Sequence, residues 1–101
     1  EVLVVAGGGS GGNHNTTNAN GGGGGGGVIY RKSYFVAAGA NSVTIGAGGT
    51  AIGFQVVSRG NNGGNSVFGT LTALGGGGGA TSAGETKNAR SASLGGGRTS
   101  S

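Results

Sequence analysis

The sequence has no cysteine, proline, methionine or tryptophan, and its only acids are Glu1 and Glu85. Each absence removes a class of answer. Without cysteine there is no disulfide framework and no thiolate metal site, and the redox compartment is left open. Without proline, and with glycines that keep no strict every-third period, a collagen triple helix is excluded. Two tyrosines and three phenylalanines are the only aromatics and the apolar fraction is 33%, so any side-chain core is thin. No stretch approaches the ~20 apolar residues of a membrane-spanning helix and none has the pattern of a secretory signal, so membrane insertion is not expected. The 101 residues suit one glycine-rich domain. Because the chain opens on Glu1 inside a strand-like run, without methionine, it is expected to be a fragment or a processed piece of a longer polypeptide.

The charge balance is +4 at neutral pH. The bases Arg31, Lys32, Arg59, Lys87, Arg90 and Arg98 are scattered, whereas a nucleic-acid footprint needs them gathered on one face or stripe. No nucleic-acid partner is expected.

What the chain has in abundance is glycine, 30 residues of it, including seven in a row at 21–27. Shorter runs lie at 7–12 (interrupted by Ser10), 75–79 and 95–97. Such runs form either flexible linkers or the extended polyproline-II-type helix called polyglycine II, which has no internal hydrogen bonds. Packed side by side, polyglycine-II runs are stable, because missing Cβ atoms let backbones approach and exchange N–H···O and Cα–H···O bonds. Here the runs alternate with strand-like segments inside one small domain, which favours packing over linking. A Cβ placed at Gly24 is then expected to wedge neighbouring runs apart.

Between the runs, the apolar pattern predicts strands. Residues 1–6 (E-V-L-V-V-A) read as a buried strand, 28–36 as an aromatic strand, 42–45 as a short one, and 66–74 as another. At 52–57, Ile52, Phe54 and Val56 alternate with period two. Residues 58–65 (S-R-G-N-N-G-G-N) read as a turn by their chemistry. No segment has helical periodicity, and glycine costs a helix ~1 kcal/mol per residue relative to alanine. The expected fold is all-β, a small antiparallel sheet or sandwich combined with packed polyglycine-II runs and no α-helix. The order strand, glycine run, polar loop, glycine run occurs at both ends of the chain, so if the two strands are parallel both polar loops emerge at one end.

The motifs that suggest chemistry are weak. Gly7, Gly9 and Gly12 follow a strand at the G-x-G-x-x-G spacing of a dinucleotide fingerprint. That fingerprint also needs a following helix and an acid about twenty residues on, and residues 13–27 supply neither. His14 is the only histidine, with no cysteine or nearby acid to share a metal. No cofactor, metal or catalytic residue is expected, and the chain reads as a non-enzyme. Asn15-Thr16-Thr17 is a glycosylation sequon only if a eukaryotic secretory pathway made the chain. On the strand at 28–36, Val28, Tyr30, Tyr34 and Val36 share one face while Ile29 and Phe35 share the other. Both faces are apolar, so a homo-oligomer, trimer or filament, is expected.

The succession V-L-V-V-A-G-G-G, an aromatic strand, N-S-V-T-I-G-A-G-G, and N-G-G-N-S-V-F-G-T-L-T-A-L-G-G-G-G-G resembles the glycine-rich domain of bacteriophage tail-fibre and tail-adhesin proteins. The resemblance covers nearly the whole chain. It implies a structural and host-receptor-binding module in a virion tail, hence extracellular, with a bacterial surface glycan or outer-membrane protein as partner. In related tip adhesins the loops between glycine runs touch the receptor. By position, the corresponding candidates are Asn13, His14, Asn15, Thr16, Thr17, Asn18 and Asn20, with Glu85, Lys87, Asn88 and Arg90 in the second loop. The alternatives are a subunit of an extracellular filament or matrix and, third, an ice-binding protein, which would need a regular six-residue spacing that the chain lacks.

Overall fold

Along residues 6–13 every third amide donates to the same neighbouring segment, and this periodicity organises the structure. The computed structural model describes residues 1–14, 20–53 and 56–81. In run I (residues 6–13), the N–H groups of Ala6, Gly9 and Gly12 donate to the carbonyls of Gly27, Gly24 and Gly21 in run II (residues 21–27), at 2.8–2.9 Å. The next column, Gly7, Ser10 and Asn13, donates to Gly64, Asn61 and Ser58 in run IV (residues 58–65), at 2.9–3.0 Å. Three residues per turn is the polyproline-II period, so successive amides point to successive neighbours around the axis. Run V (residues 74–81) accepts from Gly21, Gly24 and Gly27 of run II and from Gly60 and Gly63 of run IV, each at 2.8 Å. It donates through Gly76 and Gly79 to Gly7 and Ser10 of run I. Run III (residues 46–50) closes one edge, with Gly49 donating to Gly8 and Ala47 accepting from Gly64. Runs I, III and V are parallel, and runs II and IV return antiparallel to them. Run V is buried from Gly75 through Thr81, and Thr81 Oγ1 finds no hydrogen-bond partner among the described residues.

Each run continues a β-strand. β1 (Val2–Val5) enters run I and β2 (Val28–Arg31) leaves run II. β3 (Val43–Thr44) enters run III, β4 (Ser66–Phe68) leaves run IV, and β5 (Leu71–Ala73) enters run V. The pairing β1–β2 forms one sheet, and β3-β4-β5 the other, all antiparallel. Registers pass through the junctions unshifted. Val5↔Val28 is followed by Ala6 and Gly27, the first polyglycine bond, and Ser66↔Ala73 continues into Gly63 and Gly76. β-branched residues hold the pleated form where side chains can pack. Where the Cβ atoms stop, each backbone can take more than two neighbours. The side-chain core is correspondingly small: Val4, Ala6 and Ala73, with Val2, Ile29, Phe68 and Leu71 against them.

The fold is the all-β and polyglycine-II combination expected, with no helix among the described residues. Several segments differ from their sequence reading. β1 is half-buried rather than buried, because Val4 alone of its four residues is fully buried and Val2 packs beside it, while Leu3 and Val5 are exposed. The aromatic strand ends at Arg31, after which the chain turns. Tyr34 then packs its ring edge-on against Phe68, centroids 6.2 Å apart, and its hydroxyl lies 3.2 Å from Thr70 Oγ1. Residues 66–74 are a hairpin, not one strand, since Phe68↔Leu71 leaves a two-residue loop with Gly69 at φ 59°. A positive φ at the first loop position is what II′ hairpin turns reserve for glycine. The expected turn at 58–65 is run IV. Of the alternating segment 52–57, Phe54 and Gln55 lie outside the described residues, and Val56 N–H donates to Gly53 in a turn rather than a ladder.

Candidate functional site

Parallel runs deliver their connections to one end. Gly12 donates to Gly21, Gly21 to Ala80, and Asn13 exchanges both backbone bonds with Ser58, so these residues share one level of the lattice. The chain therefore leaves run I at Asn13 and run III at Thr50 on the side where run V reaches Ala80 and Thr81, and re-enters there at Asn20 and Ser58. Asn13 and Ala80, the lattice residues just before the two polar loops, lie at this same end, while residues 15–19 and 82–93 of those loops lie outside the described residues.

Polar side chains stitch this end. Ser10 Oγ, standing in a glycine run, donates to the Thr50 carbonyl (2.9 Å) and accepts from Asn61 N–H (2.8 Å). Asn61 Nδ2 donates to the same Thr50 carbonyl at 2.8 Å. Asn13 Nδ2 donates to the Gly53 carbonyl at 2.9 Å, tying the first connection to the second. Farther along run IV, Asn62 and Asn65, three residues apart, offer Oδ1 to the amides of Gly78 and Gly75 at 3.0 and 2.9 Å. Their side chains stand in for one more run beside the buried strand.

Of the candidate contact residues, Asn13 is thus a lattice residue whose side chain is engaged, His14 is half-buried and Asn20 is exposed. Asn15, Thr16, Thr17 and Asn18 lie outside the described residues, as do Glu85, Lys87, Asn88 and Arg90. Sequence reasoning missed the third connection at this end, residues 50–57, which presents Val56 and Val57 to solvent. The signal was available: G-A-G-G-T at 46–50 and R-G-N-N-G-G-N at 59–65 are glycine runs diluted by small polar residues.

Gly7, Gly9 and Gly12, the fingerprint-like glycines, serve close approach. A methyl on them would overlap the carbonyls of Ala47, Gly77 and Ala80 respectively. The chain after Gly12 bridges to Ser58 instead of opening a helix. Among the described residues, no three acids or histidines come together as a metal would need, and no helix is long and apolar enough to cross a membrane. At the opposite end of the molecule the Tyr30 hydroxyl donates to the Glu1 carboxylate, which, with a smaller desolvation effect, raises the phenol above its ordinary pKa.

A family model described as Glycine-rich domain matches residues 1–101. The chain belongs to the glycine-rich domain family. No curated protein and no solved structure matches it. For this glycine-rich domain the period-three lattice gives the composition a physical meaning. Glycine is required where carbonyls of neighbouring runs pass, and it is dispensable on the solvent side, where a methyl at Gly22 or Gly25 would meet nothing within 4 Å.

Proposed function

We propose that this glycine-rich domain is a non-enzymatic structural module that carries a polar recognition tip, and that it works as the host-receptor-binding part of a phage tail fibre. The observation that carries this reading is that the three parallel runs bring Asn13, Thr50 and Ala80 to one end of the lattice. Side chains are nearly barred from the inner faces of the runs, so chemical variety has most room in the connections. Their residues offer amides, hydroxyls, His14 and the charges of Glu85, Lys87 and Arg90. Such a set suits polar targets, surface glycans or loops of outer-membrane proteins, held by many modest hydrogen bonds.

The test displays the domain on beads and measures adsorption to bacterial cells and isolated envelopes. Residues 14–20 and 84–93 are exchanged for Ser-Gly spacers, leaving Asn13 in place because it pins the lattice. Adsorption is expected to disappear while the melting temperature stays near that of the parent. Retained adsorption by the exchanged chain, or none by the parent on any envelope tested, would overturn the reading. The second reading, a subunit of an extracellular filament, is favoured by the exposed apolar residues at the strand end. Particle images of the native source separate the two as a tailed virion or a continuous fibre.

A further inference from the structure

We infer that the outer face of the β1–β2 sheet is a contact surface for a second copy of this chain. The register decides which residues share that face. Val4↔Ile29 turns inward to the core together with Val2. Leu3↔Tyr30 and Val5↔Val28 turn outward and are 63, 53, 51 and 62% exposed in that order. Leu3 and Val5 also form one wall of a groove of about 340 Å³, whose other wall holds Val36, Val43 and Ile45, all exposed. Together these side chains make one contiguous exposed apolar surface, the kind that marks an interaction site rather than the scattered single apolar residues of an ordinary monomer surface.

A copy of the chain fits this face for three reasons. A two-stranded sheet is marginal alone, and stacking it on the same sheet of a second copy at about 10 Å builds the side-chain layer that each copy lacks. The contact is isologous, so one self-complementary patch suffices. The face is also uncharged although the chain carries +4, so two copies meet there without burying like charges. Charge is confined to the rim, where the Glu1 carboxylate accepts from Tyr30, Arg31 donates to the Tyr30 carbonyl, and the exposed Lys32 follows. A glycan would find few free donors on such a surface.

Sedimentation velocity across micromolar to millimolar concentrations tests the inference on the whole 101-residue chain. The parent is expected to associate reversibly, and the double variant Leu3→Thr, Val28→Thr to associate at least about tenfold more weakly, with the amides of Gly9, Gly24 and Gly79 still protected from exchange. Gly22→Ser with Gly25→Ser, on the solvent side of run II, is expected to leave association unchanged. Hydroxyl-radical footprinting of the unmodified parent covers the case in which the double variant misfolds: Leu3, Val28 and Tyr30 should become protected at high concentration only. A parent that stays monomeric throughout, unaltered footprints, or protection that appears only on added phospholipid vesicles or another protein would each overturn it.

Discussion

Replacing Gly22 and Gly26 by alanine, one at a time, introduces the same methyl into the same run with opposite expected results. At Gly22 the added carbon meets nothing within 4 Å, and the residue is exposed. Its φ is not positive, so alanine adopts the conformation without strain. The main effect is then a less flexible unfolded chain, worth about 0.4–1 kcal/mol of added stability. At Gly26 the methyl would overlap the Ala6 carbonyl oxygen, far inside the 3.0 Å that real Cβ contacts respect. Relief requires runs I and II to part by on the order of 1 Å, which takes a 2.9 Å N–H···O bond well past useful length. The bond from Ala6 to Gly27 and its neighbour from Gly9 to Gly24 both lie across that opening. Breaking each with its partners left unpaired costs about 1–3 kcal/mol. A loss of about 3–5 kcal/mol follows, a large share of the stability of any small domain. Calorimetry on the two variants is the assay, with Gly25→Ala and Gly23→Ala as a second open and closed pair. If all four melt alike, the runs are not packed at period three and the architecture is wrong.

The other predictions concern single stitches. Asn62→Ala and Asn65→Ala should each cost about 1–3 kcal/mol in denaturant unfolding by orphaning a buried run V amide, while the aspartate variants, which keep the acceptor, should recover most of the loss; equal losses for alanine and aspartate would exclude the acceptor role. Gly69→Val should destabilise the β4–β5 hairpin by about 1–2 kcal/mol, because φ 59° is strained for a residue with a Cβ, and an unchanged melting point would contradict the turn assignment. Tyr30 has its pKa raised above 10.0, first by the hydrogen bond to Glu1, so its protonated form favours the fold. That contribution is complete below pH 10 and is lost as pH rises through the raised value. Phenolate titration of a Tyr34→Phe chain, with and without Glu1→Gln, should show a lower Tyr30 midpoint in the latter, and identical midpoints would remove the Glu1 bond as the cause.

Much of this architecture is legible in the sequence, and the failures have physical reasons. Seven uninterrupted glycines between strand-like segments favour backbone bonding over a flexible linker, so run II reads directly. The shared plan of residues 2–12 and 67–79 leaves the relative direction open and takes 67–74 for one strand; the hairpin at Gly69 makes only its second strand the counterpart of β1, and the runs that follow, I and V, are parallel. Run IV is hidden because asparagine has a strong turn preference. In the structure, Asn61, Asn62 and Asn65 are kept extended by carbonyls and amides of other runs, a tertiary effect with no local signature. The aromatic run at 28–36 fails for the opposite reason. Its alternation is consistent with a long strand, but β1 provides partners only as far as Arg31, and Tyr34 gains more from Phe68 than from an unpaired edge. Gly69 inside an apolar run was the one local hint that 66–74 turns back on itself.

The lattice has a weakness that explains why strands and stitches accompany it. A glycine run looks the same after sliding one turn, three residues or ~9 Å along its axis, so polyglycine bonding alone does not fix register. Strand pairs do fix it, because a slip of one residue exchanges the buried and exposed faces of β1. The unshifted passage from Val5↔Val28 into Ala6 and Gly27, and from Ser66↔Ala73 into Gly63 and Gly76, carries that choice into the runs. Ser10, Asn62 and Asn65 repeat it farther along, each accepting one defined amide where glycine would accept none. Register then sets where the connections emerge: a three-residue slip of run II would displace Gly21 from both Gly12 and Ala80 and stagger the tip. The apolar residues at the strand end thus hold the polar end in place from a distance, without touching it.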